Sequence, residues 1–247
     1  SGFVTLIGRP SAGKSTLLNA LMGKKLAIAS PTAQTTRHRF RAIHTTDTHQ
    51  MIIVDTPGVH KPHDALGEEL NTTAFKSLDL VSSEELEVQR GAAIAAGTWD
   101  RVVELSSVTG ENLDEFVDAV ENYLPAGPLW FPADMETDQP IEVLIAEFIR
   151  EKILLTAHDE VPHAVGVVVE DMEYNRRKNM ERIYASVYVE RESQKGIIIG
   201  KGGAAIKEVG TQARKDLEIL LGKKVFLDLQ VKVRKNWRRD LNQIRRF

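Results

Sequence analysis

The sequence predicts a two-part molecule, an α/β unit built on an open, mostly parallel sheet followed by a smaller α+β unit. Three observations predict it. Short apolar runs alternate with amphipathic stretches as far as Leu124. Pro125, Gly127, Pro128, Pro132 and Pro140 then interrupt every period. Beyond them, strict two-residue alternation appears around segments of helical spacing. A chain of 247 residues is long enough for two such cores.

In chain order, Phe3-Val4-Thr5-Leu6-Ile7 is a short apolar run ending at Gly8, the pattern of a buried strand. Gly13-Lys14-Ser15 opens a helix with Leu17, Leu18 and Leu21 on one side and Gly23 as its stop. The polar, Thr-rich stretch 30–38 reads as a loop. Residues 39–46 and 50–55 read as strands joined by the turn Asp47-Thr48-His49, and Met51-Ile52-Ile53-Val54 is apolar throughout, as for a strand covered on both faces. Residues 67–79 and 84–96 read as helices, Val102-Val103-Glu104-Leu105 as a strand, and 111–124 as a helix with the stripe Leu113, Phe116, Val117, Val120 and Leu124. The expected divisions are therefore 1–124 for the first domain, 125–139 for a Pro-rich linker and 140–247 for the second domain.

In the second domain, Ile141, Leu144, Ile145, Phe148, Ile149 and Ile153 recur at helical spacing. Val165, Val167 and Val169 alternate, as do Ile183, Ala185, Val187 and Val189. A helical region over about 194–221 is interrupted by glycines at 200–203, and Val225, Leu227, Leu229, Val231 and Val233 then alternate with polar residues. The order α-β-β-α-α-β implies three strands covered by three helices.

The chain has no cysteine, which removes disulfides and thiolate metal sites and fits a reducing cytosol. No apolar run approaches the roughly 20 residues that span a bilayer, and no signal or transit segment is expected ahead of Phe3. The net charge of −3 conceals an asymmetry. Residues 1–138 carry 11 Lys and Arg against 19 Asp and Glu, whereas 195–247 carry 14 against 5. A basic end on an acidic body would attract phosphate backbones, although a solvated basic helix would give the same count.

Gly8-Arg9-Pro10-Ser11-Ala12-Gly13-Lys14-Ser15 matches GxxxxGK followed by Ser or Thr, with Thr16 next in the helix. Its glycines let the backbone curl so that N–H groups face a phosphate, and the helix adds its positive end. Lys14 would reach the β/γ oxygens and the Ser15 hydroxyl would ligate Mg²⁺. Asp55-Thr56-Pro57-Gly58 is DxxG; alone it is a common chance match, but it directly follows a strand. There Asp55 would stand near the metal, and the Gly58 N–H would sense the γ-phosphate. Gln34-Thr35-Thr36-Arg37, between the two motifs, is a hydroxyl-rich loop able to close on the metal.

The runs GRPSAGKSTLLNALMG, AQTTRHR and DTPGVHKP resemble the Era family of bacterial GTPases along essentially the whole chain. That resemblance implies a Ras-like P-loop GTPase domain, then a type II KH domain, with GTP/GDP and Mg²⁺ as ligands. It also implies action on the small ribosomal subunit. It makes Thr36 the switch-I metal ligand, with Thr35 the alternative, and Ser106-Ser107-Val108 the loop whose backbone receives guanine. Members commonly carry Ser-Ala where Ser106-Ser107 stand, and Asn where Ser11 stands; that Asn helps hold a monovalent cation. Val59 follows DxxG where many small GTPases have a water-orienting Gln, so slow intrinsic hydrolysis is expected. No Asn-Lys-x-Asp, the guanine-specificity motif, occurs. A complete domain of this type would carry roughly 40 more residues, two strands and a helix, near 80–83.

Ile199-Gly200-Lys201-Gly202-Gly203 contains GxxG between two helical segments, with Lys207 in the second. KH domains clamp about four nucleotides of single-stranded backbone against such a loop. The competing reading is a plain helix–helix turn. Arg234 and Lys235 open a tail in which cations alternate with Trp237 and Phe247, a composition suited to RNA or to packing of Trp237 on the domain. The expected function is a GTP-hydrolysing switch that binds the 3′ end of 16S rRNA during 30S assembly. Its setting would be a cytoplasmic monomer, with peripheral membrane association permitted. The alternatives are a constitutive KH-type RNA-binding protein with a degenerate nucleotide domain, and a P-loop ATPase or kinase.

Overall fold

The computed structural model describes residues 1–7, 12–29, 40–55, 99–156 and 165–235, with 87, 91, 95, 97 and 237. The chain divides into two units between Asp138 and Gln139.

In the first unit, β1 (Gly2–Leu6) lies parallel to β3 (Gln50–Asp55), and β2 (Phe40–Thr45) pairs antiparallel with β3, in the order β1-β3-β2. The turn between β2 and β3 is too short for anything but a hairpin. Thr46 closes it: its N–H donates to the His49 carbonyl at 2.9 Å, and its Oγ1 accepts from the His49 N–H at 3.1 Å. Helix α1 (Lys14–Met22) ends at Gly23, which adopts φ 64°, the left-handed cap that glycine takes at least cost. Helix α2 (Leu113–Glu121) is shorter than the expected 111–124: it starts with the first residue of the apolar stripe, because Asn112 at φ 57° marks its boundary, and ends before Leu124. Leu18 and Leu21 of α1 join Leu6, Ala42, Met51 and Ile53 in one core, with Leu113, Phe116, Val117 and Val120 of α2 packed against it.

Two local expectations change. Residues 102–105 carry no strand ladder. A strand requires a hydrogen-bonding neighbour, and among the described residues β1 closes its sheet with β3 on one side only. The Pro-rich stretch, expected as a connecting linker, instead lies along the first unit. Gln50, fully buried, donates Nε2–H to the Phe131 carbonyl at 2.9 Å and to Thr45 Oγ1 at 3.0 Å; its Oε1 accepts from Trp130 N–H at 2.8 Å and Phe131 N–H at 3.0 Å. Further on, Ile43 N–H donates to the Glu136 carbonyl at 2.8 Å, and Thr137 Oγ1–H to the Arg41 carbonyl at 2.7 Å. Ala42 and Thr137 form an antiparallel bridge, and Lys24–Glu136 and Arg41–Asp138 are ion pairs. Prolines had hidden this short edge pairing from any periodicity. The helices expected at 67–79 and 84–96 lie outside the described residues apart from single positions.

The second unit follows the expected element order. It comprises α3 (Ile141–Thr156), β4 (Gly166–Asn175), β5 (Met180–Val189), α4 (Glu192–Ile199), α5 (Ala204–Leu221) and β6 (Lys224–Val233). Its sheet order is β4-β5-β6, antiparallel then parallel. Ile145, Phe148 and Ile149 of α3, Val209, Ala213 and Leu217 of α5, and Ile183, Val187 and Val189 of β5 are all buried, and this is the unit's core. Lys152 of α3 bridges to Asp216 of α5 at 2.6 Å and to Glu151 at 3.0 Å. Burial pulls its ammonium down, but the bonds to Asp216 and Glu151 outweigh burial and hold it above the usual lysine value.

Candidate functional site

The candidate site lies at the C-terminal end of parallel strands β1 and β3, where ligands of open α/β sheets bind. Gly13 is the N-cap of α1 at φ 76°, and no side chain caps the helix, so its first turn is open to an anion. A Cβ at Gly13 would meet nothing within 4 Å. The backbone angle, and not lack of room, is therefore what favours glycine there. One residue into the helix, Ser15 Oγ–H donates to Asp55 Oδ2 at 2.6 Å, joining segments 40 residues apart. Asp55 is fully buried at the end of β3, in register with Leu6. Burial lowers the Lys14 ammonium below its ordinary value, while Asp55 pulls it back up. The structure thus brings Lys14, Ser15 and Asp55 together, with Ala12 and Thr16 flanking them. Gly8, Arg9, Pro10, Ser11, Thr36, Thr56, Pro57 and Gly58 lie outside the described residues, as does Val59.

A hydroxyl beside a buried carboxylate is a hard-oxygen donor set, and it fits Mg²⁺, which takes one or two protein oxygens and keeps the rest for water and phosphate.

Ser106-Ser107-Val108 forms a tight loop. Ser106 Oγ accepts from Thr109 N–H at 3.1 Å and Val108 N–H at 3.3 Å, and Asn112 Nδ2–H donates to the Glu104 carbonyl at 2.7 Å. Asn112, which sequence reading left unremarked, is therefore the residue that fixes this loop to the preceding segment; its positive φ is the only signal, and sequence does not show it.

In the second unit, Gly200 (φ 71°), Gly202 (φ 61°) and Gly203 (φ 81°) make the GxxG turn between α4 and α5. The positions differ in kind. A Cβ at Gly200 would lie 2.7 Å from Ala205 Cβ and 3.0 Å from Ala205 N, whereas at Gly202 and Gly203 it would meet nothing within 4 Å. Lys201 and Lys207 are exposed, Ile199 is half-buried and Ile197 is exposed beside them, giving a cationic turn with an apolar flank. Arg234 stands at the same end of the sheet: its N–H donates to the Val189 carbonyl at 2.7 Å, and its guanidinium lies 4.8 Å from the Tyr188 ring centroid. Lys235 is exposed, and Trp237 is buried against Val168 and Tyr188, so that ring packs on the domain. Burial raises the Tyr188 hydroxyl pKa, and its hydrogen bond to Glu170 at 2.8 Å adds to this.

Comparison with known proteins bears on both halves. Residues 3–97 match the family described as "50S ribosome-binding GTPase", and residues 160–238 match the family described as "KH domain". A crystal structure of a variant of Aquifex aeolicus Era bound to GDP·AlF4⁻ is similar at TM-score 0.90 and 32% identity, over 100% of this chain and 98% of that one. A crystal structure of Era in complex with MgGDPNP and nucleotides 1506–1542 of 16S ribosomal RNA is similar at TM-score 0.87 and 33% identity, over 100% and 97%.

Proposed function

Because the chain belongs to the Era family of GTPases, we propose that it is a GTP-hydrolysing switch that binds the 3′ end of 16S rRNA and acts in small-subunit assembly. The observation that carries the enzymatic half is the 2.6 Å contact of Ser15 with buried Asp55 at the open start of α1. Two remote segments there make a phosphate and Mg²⁺ site, with Lys14 beside it. Mg²⁺, when bound, would supply positive charge to offset that of the nucleotide phosphates. Ser15 and Asp55 would hold it together with Thr36, Lys14 would stabilise negative charge on the transferring phosphoryl oxygens, and the Gly58 N–H would register the γ-phosphate. The Gly8–Thr16 segment would wrap the phosphates, and Ser106, Ser107 and Val108 would receive the base.

The GxxG turn, with Lys201 and Lys207 exposed and the apolar flank of Ile197 and Ile199, supports single-stranded RNA as the ligand of the second unit. Small-subunit RNA is favoured over the large subunit because the similarity to the relative solved with 16S RNA runs along the whole chain, whereas the match to the "50S ribosome-binding GTPase" family spans residues 3–97 alone. A cytoplasmic, monomeric protein with optional peripheral membrane contact completes the reading; no described helix is long and apolar enough to cross a membrane.

The test is multiple-turnover GTP hydrolysis by the whole chain, with ATP as the control nucleotide. Lys14→Ala should lower the rate by about 10²–10³-fold, the scale of one lost charge-stabilising group. Val59→Ala should change it by less than about 5-fold, since an apolar side chain cannot orient water. Equal losses in the two variants would overturn the assigned roles. RNA binding without any GTP turnover would favour the constitutive RNA-binding reading, which the missing Asn-Lys-x-Asp keeps in play.

A further inference from the structure

Helix α2 begins against two local rules, and both departures fall on one residue. An N-cap ordinarily has an extended backbone and turns its side-chain oxygen onto the first turn of its own helix. Asn112 instead adopts φ 57° and ψ 18°, and its side chain makes no capping bond. Its amide is turned the other way: Nδ2–H donates to the Glu104 carbonyl at 2.7 Å, across the loop that carries Ser106, Ser107 and Val108. Glycine apart, asparagine is among the residues that enter this left-handed region at least cost. A local rule set aside for a bond to a neighbouring loop is a pattern expected where that loop has work to do.

The loop closes on itself. Ser106 N–H donates to the Glu111 carbonyl at 3.0 Å, and Gly110 N–H donates to the Ser106 carbonyl at 2.9 Å. Ser106 Oγ accepts from Val108 N–H at 3.3 Å and Thr109 N–H at 3.1 Å, and Thr109 Oγ1 accepts from Glu111 N–H at 3.4 Å. Within 106–111, the Ser107 N–H is left with no partner among the described residues, although Ser107 is half-buried. A donor withdrawn from water in this way is unfavourable until a ligand takes it. The segment 102–105 that leads into the loop carries no strand ladder, so the Asn112 bond is the tie that fixes Glu104 to the start of α2.

The chemistry of a single fixed N–H is selective. At the 6-position of a purine, guanine presents an oxygen acceptor and adenine an amino donor. A backbone N–H aimed there welcomes the first and repels the second, provided that it is held to within about 0.5 Å.

We propose that Asn112 is a positioning residue for purine recognition: its bond to Glu104 holds the loop 106–111 so that the Ser107 N–H meets an acceptor at the 6-position of the base. The proposal rests on the reading above that Ser106, Ser107 and Val108 receive the base.

The experiment measures the affinity of the whole chain for GDP and for 6-thio-GDP, which differs only in carrying sulfur for oxygen at that position, by titration calorimetry. Two variants are compared with the wild type. Asn112→Gly keeps the left-handed backbone and removes the amide; Asn112→Asp keeps the side-chain size and has no N–H to donate. The wild type should prefer GDP by about 5–10-fold, the scale of one good hydrogen bond. Both variants should bind GDP about 5-fold more weakly and narrow that preference to within about 2-fold. The proposal is overturned if the variants keep the wild-type preference, whether both nucleotides weaken together, as a purely structural role requires, or neither weakens. A wild type that binds both nucleotides equally would remove the base-receiving reading of the loop itself, and this proposal with it.

Discussion

At the residue scale, the glycines of the GxxG turn make different demands, and their substitutions separate them. Gly200→Ala puts a methyl 2.7 Å from Ala205 Cβ as well as imposing a positive φ on alanine. It should cost about 2–4 kcal/mol in urea unfolding, the sum of strain and overpacking. Gly202→Ala meets only the backbone penalty and should cost about 1–2 kcal/mol. Equal losses would show that the Ala205 contact relaxes away. Asp55 makes the complementary point: its place in DxxG suggested a role, but its complete burial and its bond to Ser15 are facts of packing.

At the element scale, the stretch from Trp130 to Thr137 is fastened to the first sheet, by the Gln50 side chain at one end and by a single bridge to β2 at the other. Gln50 is the clamp, and all four of its hydrogen bonds are made out of water. Gln50→Leu keeps a comparable volume but leaves the Trp130 and Phe131 N–H groups and the Phe131 carbonyl without that partner. It should destabilise the first unit by about 2–4 kcal/mol. Faster hydrogen exchange at Trp130 and Phe131 would locate the loss; unchanged exchange there would sink the clamp. The segment 102–105 is the converse case. Its β-branched, apolar composition satisfies strand propensity, yet no ladder forms, because propensity supplies no neighbour.

At the scale of the whole molecule, nucleotide state and RNA affinity are expected to be coupled. Strand β2 begins four residues after Thr36 in sequence and is tied to Glu136 and Thr137, just before the second unit starts in the chain. A GTP analogue should therefore change RNA affinity relative to GDP by about 5-fold or more, the usual range for linked sites. Equal affinity with analogue, GDP and no nucleotide would dissolve the switch and leave two independent modules. The acidic first unit and basic C-terminal end require RNA binding to fall steeply with salt.

The sequence by itself determined what local chemistry and period can encode. Gly13-Lys14-Ser15 at a helix start, DxxG after a buried strand, GxxG between helices, and the α-β-β-α-α-β order all follow from short-range patterns. Only the tertiary structure decided which remote groups meet. Ser15 reaches Asp55 across 40 residues, and Gln50 holds Phe131 across 81. Such contacts depend on register and on the faces that folding brings together, and neither is written in any single stretch of chain.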